Sequence, residues 1–302
     1  MEQNTVPRID EDTQVAEKAI SAETFIQRLD AIHELPTLST VAMKLSRLLM
    51  DINTSAKDVA EVIQYDQSIV TKMLKMVNSA FFGFTSKVSS VQHALMLLGF
   101  NTVRNAVVAI DVINALKTKN KIKGFDISEF WHHAIGVAVI SRRLDEETGH
   151  HFREDVFTAG IIHDIGKIVM AHYFSSRFES VLESMYREQI NFWNAEHQFF
   201  PLGHTEVGNQ LAKRWHLPEL MCDVIGSHHN TSKSSSKEDL VLIVHAADAL
   251  FHIYLENHSP TEDWPINPGA RQLLRQQIKS AGHWIPELRQ EIKEAYQLLM
   301  GE

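Results

Sequence analysis

Apolar residues recur at spacings of three and four almost throughout the chain from Thr24 onward. Leu38, Val41, Ala42, Leu45, Leu48 and Leu49 fall on one face of a helix, which predicts a buried stripe there. Ser55 followed by Asp58 reads as a capping box, the hydroxyl accepting from an orphan backbone N–H, with Val59, Val62 and Ile63 as the stripe that follows. Further stripes at Ile69, Met73, Leu74 and Met76, at Ala94, Leu95, Leu97 and Leu98, and at Val103, Val107, Val108 and Ile110 make the first half a bundle of short helices. Asp126 or Ser128 then caps a long helix running through Trp131, Ile135, Val139 and Leu144. Helical patterns continue at 159–170, 178–190, 205–215, 218–228, 240–255 and 286–299, with Pro218 at a first helical position, where its missing N–H costs nothing. Alternating runs bounded by Asn-Gly or Asp-Gly are absent, so the class is all-α.

The same pattern divides the chain. Residues 1–22 carry polar and acidic positions without an apolar period and read as a mobile acidic tail. Residues 23–116 form an N-terminal helical subdomain. The segment 117–124, KTKNKIKG, has four lysines, one glycine and no apolar period, and reads as a solvated connector to a helical domain over 125–302. Hydrophobic residues at 44% and charged residues at 22% of 302 are ordinary for a globular protein and fit one large domain or two modest ones. A net charge of -9, with only +1 over residues 24–116, disfavours a grip on nucleic acid or on an anionic membrane. The single cysteine, Cys222, cannot form an internal disulfide and reads as an inert buried thiol among apolar neighbours. The polar N-terminus is not an export signal, and the apolar stretches around His163 and Asp248 fall far short of the 18 or so residues of a spanning helix, so the expected compartment is a reducing cytoplasm.

Histidine changes the picture. Fifteen of the 17 histidines lie at or after His132. His163 and Asp164 are adjacent inside the apolar run AGIIHDIGKIVMA, where two ionisable groups left unpaired cost several kcal/mol, roughly, so a strong partner is required. A divalent metal is one such partner, since neutral imidazoles and carboxylates ligate zinc, iron, manganese or nickel. Other candidates are Glu129 and His133 four residues apart, His204 and Glu206, the pair His228 and His229, and Asp248. Taken singly, each reads as a hydrogen-bonded core residue, so the set carries the argument. Gly160 to Lys167 only superficially suggests a phosphate-binding loop, because Ile168 follows the lysine and the flanks are helical. Phe81, Phe82 and Phe84 around Gly83 read as packing at a joint between helices rather than as a base-stacking surface.

The ordered series FWHHAIGVA, IIHDIGK, HTEVG, His-His and VHAADAL resembles the HD superfamily of metal-dependent phosphohydrolases. More specifically, LPTLSTVAMKL, DVAEVIQYDQSIVTKMLKMVNSAFFG, VSSVQHALMLLGFNTVRNAVVA and WHLPELMCDVIGSHH resemble the HDOD family over about residues 24–255. The resemblance implies an α-helical bundle and, mostly, a regulatory or signalling role, since many HDOD proteins lack the metal-binding residues of their catalytic relatives. This chain departs from that norm. Carried over by motif, the metal ligands are His133, His163, Asp164 and Asp248, with His204, His228 and His229 matching the additional histidines of the HD-GYP branch. His132 is then the neighbour rather than the ligand. Glu129 matches an extra carboxylate of that branch but reads more simply as a solvated helix face. Two divalent ions are implied, bridged by Asp164, with Lys167 placed to contact a phosphate or, equally, to snorkel from a helix end. The residues after His229, NTSKSSSKED, lack the acidic, glycine and Gly-Tyr-Pro pattern that names the branch. The expected function is a regulatory module acting on a signalling partner or a small phosphorylated ligand, with an active phosphohydrolase as the alternative and homodimerisation left open.

Overall fold

Local capping signals set many of the helix starts. The structure, a computed structural model, describes residues 21–32, 35–48, 54–78, 87–117, 122–148, 153–231, 238–256 and 266–301. Nearly all of the acidic tail, the aromatic triplet Phe81, Phe82 and Phe84, and connector residues 118–121 lie outside the described residues. Ser21 caps α1 (Ala22–Asp30) and precedes α2 (Thr40–Leu48). The capping box appears as read: the Ser55 N–H donates to Asp58 at 2.9 Å and the Asp58 N–H to Ser55 Oγ at 3.3 Å, starting α3 (Ala56–Gln64). Asp66 caps α4 (Gln67–Val77), accepting from two backbone N–H groups. The two apolar stripes at 94–98 and 103–110 are halves of one long helix, α5 (Val91–Ala115), kinked at Gly99, whose φ of 81° only glycine adopts without strain.

The second region begins with α6 (Ile127–Thr148), where Asp126 Oδ1 accepts from the Ser128 N–H at 2.7 Å. It continues through α7 (Arg153–Ile162), α8 (Ile165–Tyr173), α9 (Ser175–Glu188), α10 (Phe192–Phe199), α11 (His204–Arg214), α12 (Glu219–Ser227) and α13 (Glu238–Tyr254). Then come α14 (Pro268–Leu273), α15 (Arg275–Trp284), a 3-10 turn at Pro286–Leu288 and α16 (Arg289–Met300). No strand occurs among the described residues, which hold one isolated bridge between Ile122 and Phe125.

Three readings of the pattern need correction. The run 159–170 is not one helix: α7 ends and α8 begins on either side of His163 and Asp164, which form the turn between them. Pro218 stands one residue before α12, in extended conformation (ψ 145°), its carbonyl accepting the first helical bonds from Met221 and Cys222. The periodic runs leave 192–199, 268–273 and 275–284 unassigned, where the structure has α10, α14 and α15.

Two helices are buried on nearly every side. Residues 133–141 of α6 and 240–251 of α13 are all buried, and the two pack against each other at the centre with α7 beside them. Helix α8 packs on α11, where Gly166 allows the closest approach: a Cβ there would lie 1.9 Å from the His204 carbonyl oxygen. The N-terminal helices share the same continuous hydrophobic cluster, α5 lying against α7 and α16 returning onto α4 and α5. Polar ties cross the same seam: Asn105 donates to Asp155 at 2.8 Å, Thr158 to the Asn105 carbonyl at 3.1 Å, and the Trp215 indole to the Pro36 carbonyl at 2.8 Å. Lys117, at the start of the connector, reaches the Met300 carbonyl at 3.0 Å. Among the described residues α5 alone is long and apolar enough to cross a membrane, and most of its apolar window is covered by protein.

The Gly166 contact yields a test. Gly166→Ala forces α8 away from α11 and should cost about 1–3 kcal/mol, read as a lower urea midpoint at unchanged m-value. An unchanged midpoint would show that this interface yields freely.

Candidate metal centre

The break between α7 and α8 presents His163 and Asp164 to the bundle centre from a turn rather than from one helical face. His133 reaches the same point from α6, Asp248 from α13, His204 from the first position of α11, and His228 and His229 from the end of α12. All of these side chains except His229 are buried, and His163, His204 and His228 are fully so.

Asp164 sits between two groups of donors. Its Oδ1 lies 3.1 Å from His204 Nε2 and 3.5 Å from His228 Nε2. Its Oδ2 lies 3.3 Å from His163 Nε2 and 3.6 Å from His133 Nε2. Asp248 Oδ1 completes the second side, 3.2 Å from His133 and 3.9 Å from His163. Asp164, His204, His228 and His229 thus offer one set of ligand atoms within 4.8 Å of one another, and His133, His163 and Asp248 another. All seven side chains assigned by motif meet here. His132 does not: it is exposed and packs edge-on to Phe251. Glu129 is also exposed and belongs to neither set.

Hydrogen-bond roles decide what the centre can hold. His163 Nδ1 lies 2.7 Å from the Gly160 carbonyl, and His228 Nδ1 lies 3.1 Å from the carbonyls of Val224 and Ile225. His204 Nδ1 lies 2.9 Å from Glu196, a carboxylate with no exposure that also accepts the His204 backbone N–H at 2.7 Å. At His163 and His228 the carbonyls draw the ring hydrogen to Nδ1 and turn Nε2 inward as an acceptor, whereas His204, set between Glu196 and Asp164, is raised to about 9 and holds hydrogen on both nitrogens. The Nε2 atoms face carboxylate oxygens and each other, His204 and His228 Nε2 being 3.3 Å apart. His163 Nε2, Asp164 Oδ1 and Asp248 Oδ1 are buried and make no hydrogen bond of good geometry despite these short approaches. Two carboxylates and several imidazole nitrogens gathered in an apolar interior form a donor set that could hold a cation.

Protonation fits the same conclusion. Burial works against the charge of Asp164, yet His163 and Lys167 hold its carboxyl well below the usual range. Burial likewise opposes Asp248, and His133 and His252 hold it low. Burial keeps His133 and His229 below the ordinary histidine value and pushes His228 down to about 4. Against burial, Glu196 and Asp164 raise His204 to about 9. The ionised carboxylates and the lowered His133, His228 and His229 are in the states a divalent ion needs, whereas His204 holds a proton that an ion would displace. Lys167 Nζ lies 2.5 Å from Asp164 Oδ2 and 5.1 Å from the Phe192 ring centroid, so this lysine is paired rather than snorkelling freely.

Four supporting residues escaped the motif reading. Glu196 holds His204 from the short helix α10. His245 Nδ1 donates to the His228 carbonyl at 2.7 Å while its Nε2 accepts from the Asn267 N–H at 2.9 Å, fixing the backbone that carries His228. His252 stands one turn beyond Asp248, its Nδ1 2.5 Å from Glu256; against burial, Asp248 and Glu256 raise it to about 9. Asp248, His252 and Glu256, each four residues from the next, left a spacing that points to them. Glu196→Gln should weaken the affinity for a divalent ion about 10- to 100-fold, measured by chelator competition, because it loosens the imidazole that Glu196 orients. Equal affinities would reduce Glu196 to a packing role.

Known proteins agree with this architecture. A protein of Treponema pallidum without assigned function is 24% identical over 237 residues, which is 78% of this chain but 45% of that one, so the chain spans about half the length of this relative. The crystal structure of an HDOD domain protein of unknown function from Geobacter sulfurreducens superimposes with a TM-score of 0.72 at 26% identity, covering 91% of this chain and 95% of the other. A candidate phosphohydrolase from Shewanella amazonensis shares the fold, with a TM-score of 0.70 at 21% identity over 92% of this chain and 98% of that one. The HDOD domain family matches residues 35–231, which hold every centre residue from His133 to His229, and with two thirds of its length so matched the chain belongs to the HDOD family.

Proposed function

We propose that this protein is an HDOD signalling module whose His/Asp centre holds two divalent metal ions, one on each side of Asp164, and senses a small phosphorylated ligand. The observation that carries this reading is the pair of buried donor sets that meet at Asp164, each with its ligand atoms within 4.8 Å of one another. His204, His228 and His229 would hold one ion; His133, His163 and Asp248 would hold the other, with Asp164 shared. When bound, such ions supply positive charge and Lewis acidity toward phosphoryl oxygens. The chain's own residues do the rest. Gly160, Glu196 and Val224 fix the ring orientations of His163, His204 and His228. Lys167, its side chain 15% exposed and its ammonium paired with Asp164, stands at the edge of the centre, where it would also meet an incoming anion.

Burial favours sensing over turnover. His163, Asp164, His204 and His228 have almost no exposure, and the partly open positions at the centre are Lys167, His252 and His229. Hydrolysis of a phosphoester remains the second reading, favoured by the complete donor set and the lysine beside Asp164.

Elemental analysis of protein purified without a metal-affinity step tests the proposal. Two first-row ions per chain are expected in wild type, iron, manganese, zinc or nickel, with clear loss in His163→Ala. No metal in wild type, even after reconstitution, would sink the reading and leave the histidines structural. Metal-replete protein should be inert across a phosphoester panel; hydrolysis at enzymatic rates that vanishes in Asp164→Ala would move the assignment to a phosphohydrolase.

A further inference from the structure

The family pattern accounts for Asp248 on α13 but not for the two residues that follow it on the same face. His252 lies one turn on, and Glu256 another turn beyond. The His252 ring stacks on that of His133, with centroids 4.7 Å apart and planes 29° from parallel. This places His252 Nε2 3.4 Å from Asp248 Oδ1, the oxygen that lies 3.2 Å from His133 Nε2. On the other side of the ring, Nδ1 lies 2.5 Å from Glu256 Oε2. Glu256 therefore does for His252 what Glu196 does for His204: it takes the Nδ1 hydrogen and leaves Nε2 directed at the centre. His133, His252 and Glu256 also offer ligand atoms within 4.8 Å of one another.

Position separates His252 from the other donors. Its side chain is 12% exposed and that of Glu256 is 38% exposed, whereas Asp164 is at 1%. The pair thus stands on the solvent side of the His133, His163 and Asp248 set. Those three with Asp164 already provide four donors, a fifth leaves little room on an ion that takes at most about six, and a phosphoryl oxygen must find its place there. The extra carboxylate that Glu129 would supply from α6 is turned to solvent, so α13 provides the additional donor instead.

We propose that His252, oriented by Glu256, is a displaceable metal ligand that closes the solvent side of the His133, His163 and Asp248 site and gives way when a phosphorylated ligand binds. This inference rests on the metal-binding reading above. Ligand exchange at His252 couples phosphate occupancy to the C-terminal end of α13, where Glu256 and the Arg289 contact with the Tyr254 carbonyl lie.

The test compares full-length wild type and His252→Ala, both loaded with cobalt(II), by metal stoichiometry, visible absorption and titration with inorganic phosphate. The variant should keep the wild-type cobalt content, show a changed absorption spectrum, and bind phosphate at least tenfold more tightly. Added imidazole should restore the spectrum and compete with phosphate. A His252 that only pairs as a cation with Asp248 gives the opposite sign, since its removal takes positive charge from the anion's path; weaker or unchanged phosphate binding in the variant overturns the inference. Glu256→Gln, at an exposed position, should shift both readouts in the same direction by a smaller amount and serves where the alanine variant fails to fold; no shift in it overturns the inference equally. Wild type that takes up no cobalt overturns the metal reading itself, whereas cobalt in both proteins with identical phosphate affinity overturns only the role of His252.

Discussion

A buried carboxylate pair ringed by imidazole lone pairs is the constraint on which this architecture turns. Asp164 and Asp248 both sit at the centre of an apolar helical bundle and both remain ionised, against a burial penalty that alone would neutralise them. Lys167 and His204 offset part of the charge at Asp164, while His228, pushed down to about 4, adds electron density where positive charge is wanted. Such an arrangement is unfavourable as a core and well suited as a ligand shell. The surrounding bundle therefore has to hold it in place, and its local departures from regular helix are found where that demand falls.

Two of those departures are the turn at His163–Asp164 and the tight α8–α11 contact. One continuous helix would have carried both side chains on a single surface, 100° apart, roughly, and would have left Asp164 facing only one donor set. Breaking the helix at these two residues lets Asp164 stand between His133 and His163 on one side and His204 and His228 on the other. Gly166 then lets α8 approach the backbone of α11 closely enough for His204 to reach Asp164. The central helices α6 and α13 contribute rigidity, because a helix covered on every side has few ways to shift without opening a void.

The N-terminal helices are tied into the same cluster of buried side chains rather than standing apart from it. Asn105 of α5 and Asp155 of α7 are joined by a hydrogen bond, and α7 leads directly into the His163–Asp164 turn. The packing of α5 on α7 therefore connects the N-terminal helices to the segment that carries His163 and Asp164, although the Asn105 and Asp155 side chains lie outside the His/Asp cluster.

Sequence alone determined the helical class, the capping box at Ser55, and the residue types of the ligand shell. These depend on local chemistry: a 3.6-residue apolar period, a hydroxyl three residues from a carboxylate, and an ordered series of histidine and aspartate motifs. The preference for His133 over His132 came from motif position, and the two differ in space because only one face of α6 looks at α13. Tertiary structure decided the rest. The helix break at His163–Asp164 is hidden because its flanks, Ile161, Ile162, Ile165 and Ile168, keep an unbroken apolar pattern through the turn. Glu196 and His204 belong to different helices with a Pro-Leu-Gly turn between them, so nothing local signals that a carboxylate orients that imidazole. The placement of His252 beside His133 depends on the packing of α13 against α6, a contact between residues more than a hundred positions apart, which no period along the chain encodes.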